Sequence, residues 1–191
     1  MIAVDRVPEP PEFDAKARQP GLTWLVENPN AVRLRDYWSP FKPQLAAGFR
    51  QLCGYTAMYE PVGTVDHFVS IHADSSLAYE WSNYRFAAGW VNSSKQTADM
   101  VLDPFEVQDG WFEILLPSLQ LVVTDAVPAE HRARAMYTLE RLHLRDDERV
   151  LRQRRVWYGM YQTGELTLEG LRKKAPLIAR AIDKQAKADG Q

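Results

Sequence analysis

Val65-Asp66-His67-Phe68, Tyr79-Glu80-Trp81-Ser82-Asn83 and Val91-Asn92-Ser93-Ser94-Lys95 are the three short runs on which the reading of this 191-residue chain turns. Around the first run, Tyr55 to Tyr59 and Thr64 to Val69 flank Pro61-Val62-Gly63, a pattern that predicts a hairpin of two short strands with Asp66 and His67 on the second. Neighbouring strand residues point to opposite faces, so Asp66 and His67 can share a site only where the strand ends or bulges. Tyr84 to Trp90 reads as a further extended segment. Asn92-Ser93-Ser94-Lys95 reads as the cap and start of a helix, because Asn and Ser side chains accept hydrogen bonds from free first-turn amides.

The residue types in these runs suit phosphodiester chemistry. A hard divalent cation such as Mg²⁺ takes oxygen ligands and keeps several waters, so Asp66 and Asn92 suffice as protein ligands beside phosphate oxygens. Neutral imidazole is the natural base for a water molecule near pH 7, which assigns that role to His67. Asn83 is expected to orient His67, or the loop that carries it, by hydrogen bonding. A solitary Asp-His dipeptide is common and usually structural; what reverses that reading is the ordered set with Asn83, Asn92 and Lys95.

That ordered set resembles the HNH, or ββα-metal, endonuclease superfamily, whose motif is a hairpin ending in Asp-His, a central Asn, and a helix bearing the last Asn or His. The resemblance implies an α+β fold with a ββα-metal hairpin-helix core and one Mg²⁺ or Mn²⁺ ion held by Asp66 and Asn92. It also implies catalytic roles for His67, Asn83 and Lys95, the lysine contacting a phosphate. Many relatives bind a structural zinc through two Cys-x-x-Cys pairs. Here those four places read Cys53, Thr56, Ala88 and Val91, so no structural zinc is expected. The flanking runs Cys53-Gly54-Tyr55, Leu77 to Asn83, Leu102-Asp103-Pro104 and Thr138 to Leu142 are similar to the branch found in Septu-type and retron-associated phage defence, where several members work beside an ATPase partner. The implied activity is endonucleolytic hydrolysis of nucleic acid, with DNA favoured. The alternative is an inactive HNH-fold module that binds nucleic acid or a partner protein without cutting.

Outward from this centre the chain divides into residues 1–43, a Pro-rich arm; 44–103, the nuclease core; and 104–191, mostly helical. The arm carries seven of the prolines and is expected to run extended, interrupted at most by short helical turns, with Trp24, Leu25, Tyr37, Trp38 and Phe41 pinning it down. Apolar spacing predicts a helix over Gln44 to Cys53, strands over Trp111 to Leu116 and Leu119 to Thr124, and helices over Glu130 to Leu142 and Asp146 to Gln162. A last helix from Thr167 must kink or break at Pro176. Charge is nearly balanced, 23 Lys and Arg against 25 Asp and Glu, so nucleic-acid binding needs a local basic surface. Arg149, Arg152, Arg154 and Arg155 offer one, with Arg152 and Arg155 the candidate phosphate contacts. Interleaved Asp146, Asp147 and Glu148 make a salt-bridged, solvated face an equal reading. The single cysteine excludes an internal disulfide, and no apolar run approaches the roughly 20 residues of a membrane span, so a cytoplasmic protein is expected.

Overall fold

Strand β1, Thr64–His67, pairs antiparallel with β2, Tyr84–Ala87, in the register Val65↔Phe86, Asp66↔Arg85 and His67↔Tyr84. A seven-residue helix, Gly89–Lys95, follows β2 after a single residue and packs against β1. It is the third of seven α-helices among the described residues and is called α3. The computed structural model describes residues 1–31 and 33–190.

The partner of β1 differs from the sequence expectation. Tyr55 to Tyr59 is not a strand but a tight knuckle: the Cys53 amide donates to the Met58 carbonyl at 2.9 Å and the Ala57 amide to Cys53 at 2.9 Å. Only Leu52 and Tyr59 bridge across its base. The true partner, β2, is buried at all four positions, so it lacks the polar alternation that marks a half-exposed strand. Its polar member, Arg85, is buried because its guanidinium forks onto both carboxylate oxygens of Asp103 at 2.6 Å and lies 4.0 Å over the Phe105 ring. Asn92, expected as a cap, instead sits one turn inside α3, which starts at Gly89 after an extended Ala88.

The arm is more helical than expected. A π-helical stretch over Asp14–Arg18 runs straight into α1, Gln19–Glu27. The wide turn lies just before Pro20, which has no amide to give and crowds the carbonyl four residues back. Gly21 is the contact point with the rest of the protein, since a Cβ there would fall 2.3 Å from the Tyr79 ring. The second helix is also shorter than read: α2 spans Lys42–Gly48, entered through Pro43.

Downstream, the second hairpin, β3 (Phe112–Leu115) with β4 (Gln120–Val123), falls where the sequence put it. So do α4 (Ala129–Arg141) and α5 (Glu148–Gln162), the latter capped by Asp147. The chain after Thr167 does break at Pro176, giving α6 (Leu168–Lys174) and α7 (Pro176–Asp189). The fold is therefore α+β, with two small antiparallel sheets among the described residues.

Two apolar clusters hold these elements. One joins Phe13, Ala17, Phe41, Leu45 and Phe49 to Val65, Trp81, Tyr84 and Phe86, fixing the arm and α2 to the first sheet. The larger runs from Met1 and Ile2 through the knuckle, Ala88 and Val91 to the second hairpin and α4 to α7. Arg154 is a correction to the basic cluster read on α5. It is 1% exposed, its guanidinium donates to the carbonyls of Leu119, Leu144 and Arg145, and burial pushes its pKa down to about 10. It ties α5 to the second hairpin and to the α4–α5 connection.

Candidate functional site

β1 ends at His67, and Asp66 and His67 pair in regular register with Arg85 and Tyr84. The end of the strand is held by Lys95, from the end of α3. Its ammonium donates to Asp66 Oδ1 at 3.0 Å, to the His67 carbonyl at 2.9 Å and to the Phe68 carbonyl at 2.8 Å. All three ammonium protons are thereby used, and the side chain is fully buried. The structure thus gives Lys95 a different place from the phosphate contact expected of it: it clips the strand end from inside. The other carboxylate oxygen of Asp66 accepts from the Tyr55 hydroxyl at 2.5 Å. Burial first, and then the neighbouring Asp66 charge, raises the Tyr55 pKa well above its ordinary value, so the phenol stays a donor.

His67 is fixed on three sides. Its Nε2 lies 2.9 Å from the carbonyl of Ala78, which can only accept, so Nε2 carries the proton and Nδ1 holds the lone pair in the neutral ring. The Trp38 and Tyr84 rings meet the imidazole edge to face, with centroids at 4.8 and 5.0 Å. Burial lowers the His67 pKa below its ordinary 6.5, outweighing the opposing pull of the Ala78 carbonyl and the Asp66 charge. The ring is therefore neutral at physiological pH.

Asn83 makes no side-chain hydrogen bond to His67. Its Oδ1 accepts from the Val69 amide at 2.8 Å, and its Nδ2 donates to the carbonyls of Val69 and Leu77 at 3.0 and 3.1 Å. Of the two roles foreseen for it, it fills the second, pinning the loop that carries His67 and Ala78. Asn92 lies on α3 beside β1, with its Nδ2 3.4 Å from the Val65 carbonyl and no partner for its Oδ1 among the described residues.

Asp66, His67 and Asn92 line one open cleft of about 300 Å³. The oxygens of Asp66 and Asn92 are hard donors of the kind Mg²⁺ or Mn²⁺ takes. Each Asp66 oxygen keeps a second lone pair, so the residues fit a cation that retains several waters. The Lys95 charge on the same carboxylate makes such a site weak. No group of three or more His, Cys, Asp or Glu is placed to hold a metal ion among the described residues, but an Asp–Asn pair supplemented by water needs none.

Arg152 and Arg155 lie on the exposed side of α5, with Arg155 paired to Glu148 at 3.0 Å. Neither lines the cleft. Sequence reasoning missed Tyr55, hidden in what read as a strand, although it belongs to the Cys53-Gly54-Tyr55 run already singled out. It also took Trp38 only as an anchor for the arm. No protein-family model matches the chain, and no curated protein matches it. No helix among the described residues is long and apolar enough to cross a membrane.

Proposed function

We propose that β1, β2 and α3 form a ββα-metal core of the HNH kind and that the chain is a metal-dependent endonuclease acting on nucleic acid, DNA before RNA. The observation that carries this reading is the meeting of Asp66, His67 and Asn92 on one cleft, from two elements distant in sequence. Asp66 and Asn92 would hold the cation, which supplies neutralisation of the scissile phosphate and of the oxygen that leaves it. His67 Nδ1 takes a proton from the attacking water as the new O–P bond forms and the bond to the leaving oxygen breaks. The Ala78 carbonyl keeps the other ring nitrogen protonated and aims the ring, and the Asp66 charge favours the imidazolium as it forms. Lys95 and Asn83 are positioning residues, one clipping the strand end and the other the loop beyond it. A role in phage defence beside an ATPase or another defence-system partner rests on the resemblance alone.

A second reading, a module that binds nucleic acid or a partner without cutting, is favoured by one feature: Tyr55 and Lys95 give both Asp66 oxygens a partner from the protein itself. Nicking of supercoiled plasmid and cutting of labelled oligonucleotides in Mg²⁺ or Mn²⁺ separate the two. Activity abolished by His67→Ala, Asp66→Ala and Asn92→Ala supports the nuclease. Binding without cutting, in the presence of either metal and any partner encoded beside it, supports the module. Cutting that survives His67→Ala removes the base assignment.

A further inference from the structure

With Lys95 turned inward, Arg33 is the one lysine or arginine that lines the cleft among the described residues. Arg33 comes from the arm, outside the ββα unit. It is exposed and makes no ion pair among the described residues. Asp66 and Lys95 pair with each other, so Arg33 is the lining side chain left to offer a positive charge to a phosphate among the described residues.

Trp38 lines the same cleft from the same arm segment. Its backbone amide and that of Ser39 donate to Asp36 Oδ1 at 3.1 and 2.8 Å, which fixes the turn that presents the ring. The indole is half-buried and packs edge to face on His67, so anything laid on its open part lies beside the proposed base.

We propose that Arg33 and Trp38 form a strand-binding subsite, resting on the nuclease reading above. Arg33 holds a phosphate flanking the cleaved bond, and Trp38 stacks on the base of the adjoining nucleotide. A base inside a continuous duplex has no free face to offer, so the substrate class is single-stranded or locally opened nucleic acid. Stacking of this kind tolerates any base, because every base has a π-face.

The test uses the full-length wild type, Arg33→Ala, Trp38→Ala and Trp38→Phe, with far-UV circular dichroism confirming the fold of each. Binding of a fluorescein-labelled single-stranded oligonucleotide is followed by anisotropy in EDTA, and cutting of that strand and of its blunt duplex is followed in Mn²⁺. The wild type is expected to bind and cut the single strand in preference to the duplex. Trp38→Ala should weaken single-strand binding roughly tenfold, and Trp38→Phe should restore most of it. Arg33→Ala should raise KM more than it lowers kcat and reduce the slope of log affinity against log salt by about 0.7. If the wild type cuts while Arg33→Ala and Trp38→Ala match it in affinity and strand preference, the subsite is refuted and the nuclease reading stands. If binding depends on Arg33 and Trp38 but nothing is cut, the subsite stands and the catalytic reading falls. A wild type that neither binds nor cuts removes both. Should Trp38→Ala fail to fold, Arg33→Ala and Trp38→Phe decide: affinity unchanged in both overturns the proposal.

Discussion

Replacing Lys95 with Met separates an internal clip from a phosphate contact. In the structure the ammonium has no water-facing surface and its three protons go to Asp66, His67 and Phe68. Truncation leaves the Asp66 carboxylate buried with only the Tyr55 hydroxyl as partner, together with two main-chain carbonyls that lose their donor. Breaking a buried ion pair from one side costs about 3–5 kcal/mol. That is a large share of the roughly 5–15 kcal/mol that holds a domain of this size together. Asp66→Asn breaks the same pair from the other side: it keeps an acceptor for Lys95 but leaves the buried ammonium without its counter-charge, so it too should cost about 3–5 kcal/mol. The double variant should be less damaging than the sum of the two, with a coupling of about 2 kcal/mol. Urea unfolding followed by circular dichroism, at low and high salt, gives all four corners of the cycle. A buried pair responds little to salt. The reasoning fails if Lys95→Met loses less than about 1 kcal/mol, or if its only effect is a salt-dependent rise in KM, which is what a phosphate-binding lysine would show.

Three further outcomes are expected. Because the native His67 pKa lies below 6.5, cleavage should persist as the solution is acidified past 6.5 and fall only at lower pH; a midpoint above 6.5 counts against His67 as the buried base. The same depression means the unfolded chain takes up the proton first, so this histidine's contribution to stability is complete above pH 6.5 and is lost as pH falls toward the native value. His67→Gln should flatten the stability profile in that window. Asn83→Ala removes three hydrogen bonds from a buried side chain and should cost about 1–3 kcal/mol, with kcat falling further than KM rises; an unchanged kcat in a folded variant would deny the loop its role. On α5, Arg154→Met should lower the melting temperature by several degrees by stranding three carbonyls. Arg152→Ala and Arg155→Ala should each stay within about 0.5 kcal/mol of the wild type in denaturation, which marks Arg154 as the structural member of the cluster.

The order and chemical type of side chains along the sequence point to Asp66, His67 and Asn92, and these three line one cleft, whereas the pairing of backbones does not follow from that order. Period-two alternation puts neighbours on opposite faces, and β1 runs in regular register up to its end at His67. The partner of β1 was not visible. Tyr84–Ala87 is buried on both faces, and its one charged residue is neutralised by Asp103, a contact across 18 positions. Tyr55 to Tyr59 looked like a strand because its aromatic and aliphatic members suit one, yet a positive φ of 53° at Ala57 turns the chain back on itself. Lys95 misled for a related reason. Near a helix end, lysine reads as solvent-facing by type, and only the three-dimensional meeting of α3 with the end of β1 supplies the acceptors that draw it in. Proline density hid the α1 segment, since nothing local announces that a π-helical turn will make room for Pro20.

The knuckle between Leu52 and Tyr59 has a practical corollary for anyone handling this protein. Its turn is closed by main-chain hydrogen bonds, by the Thr56 hydroxyl accepting from the Met58 amide at 3.3 Å, and by the Gly54 amide donating to Phe86 on β2 at 2.8 Å. Cys53, Ala88 and Val91 share one apolar cluster beside it. The cohesion of this part of the scaffold therefore comes from the chain itself. Under the proposed function, EDTA should take a cation from Asp66 and Asn92 and lower the melting temperature only by the lost binding free energy, leaving the knuckle folded, so activity lost on chelation and regained with Mn²⁺ would be chemistry switched off and on in an intact fold.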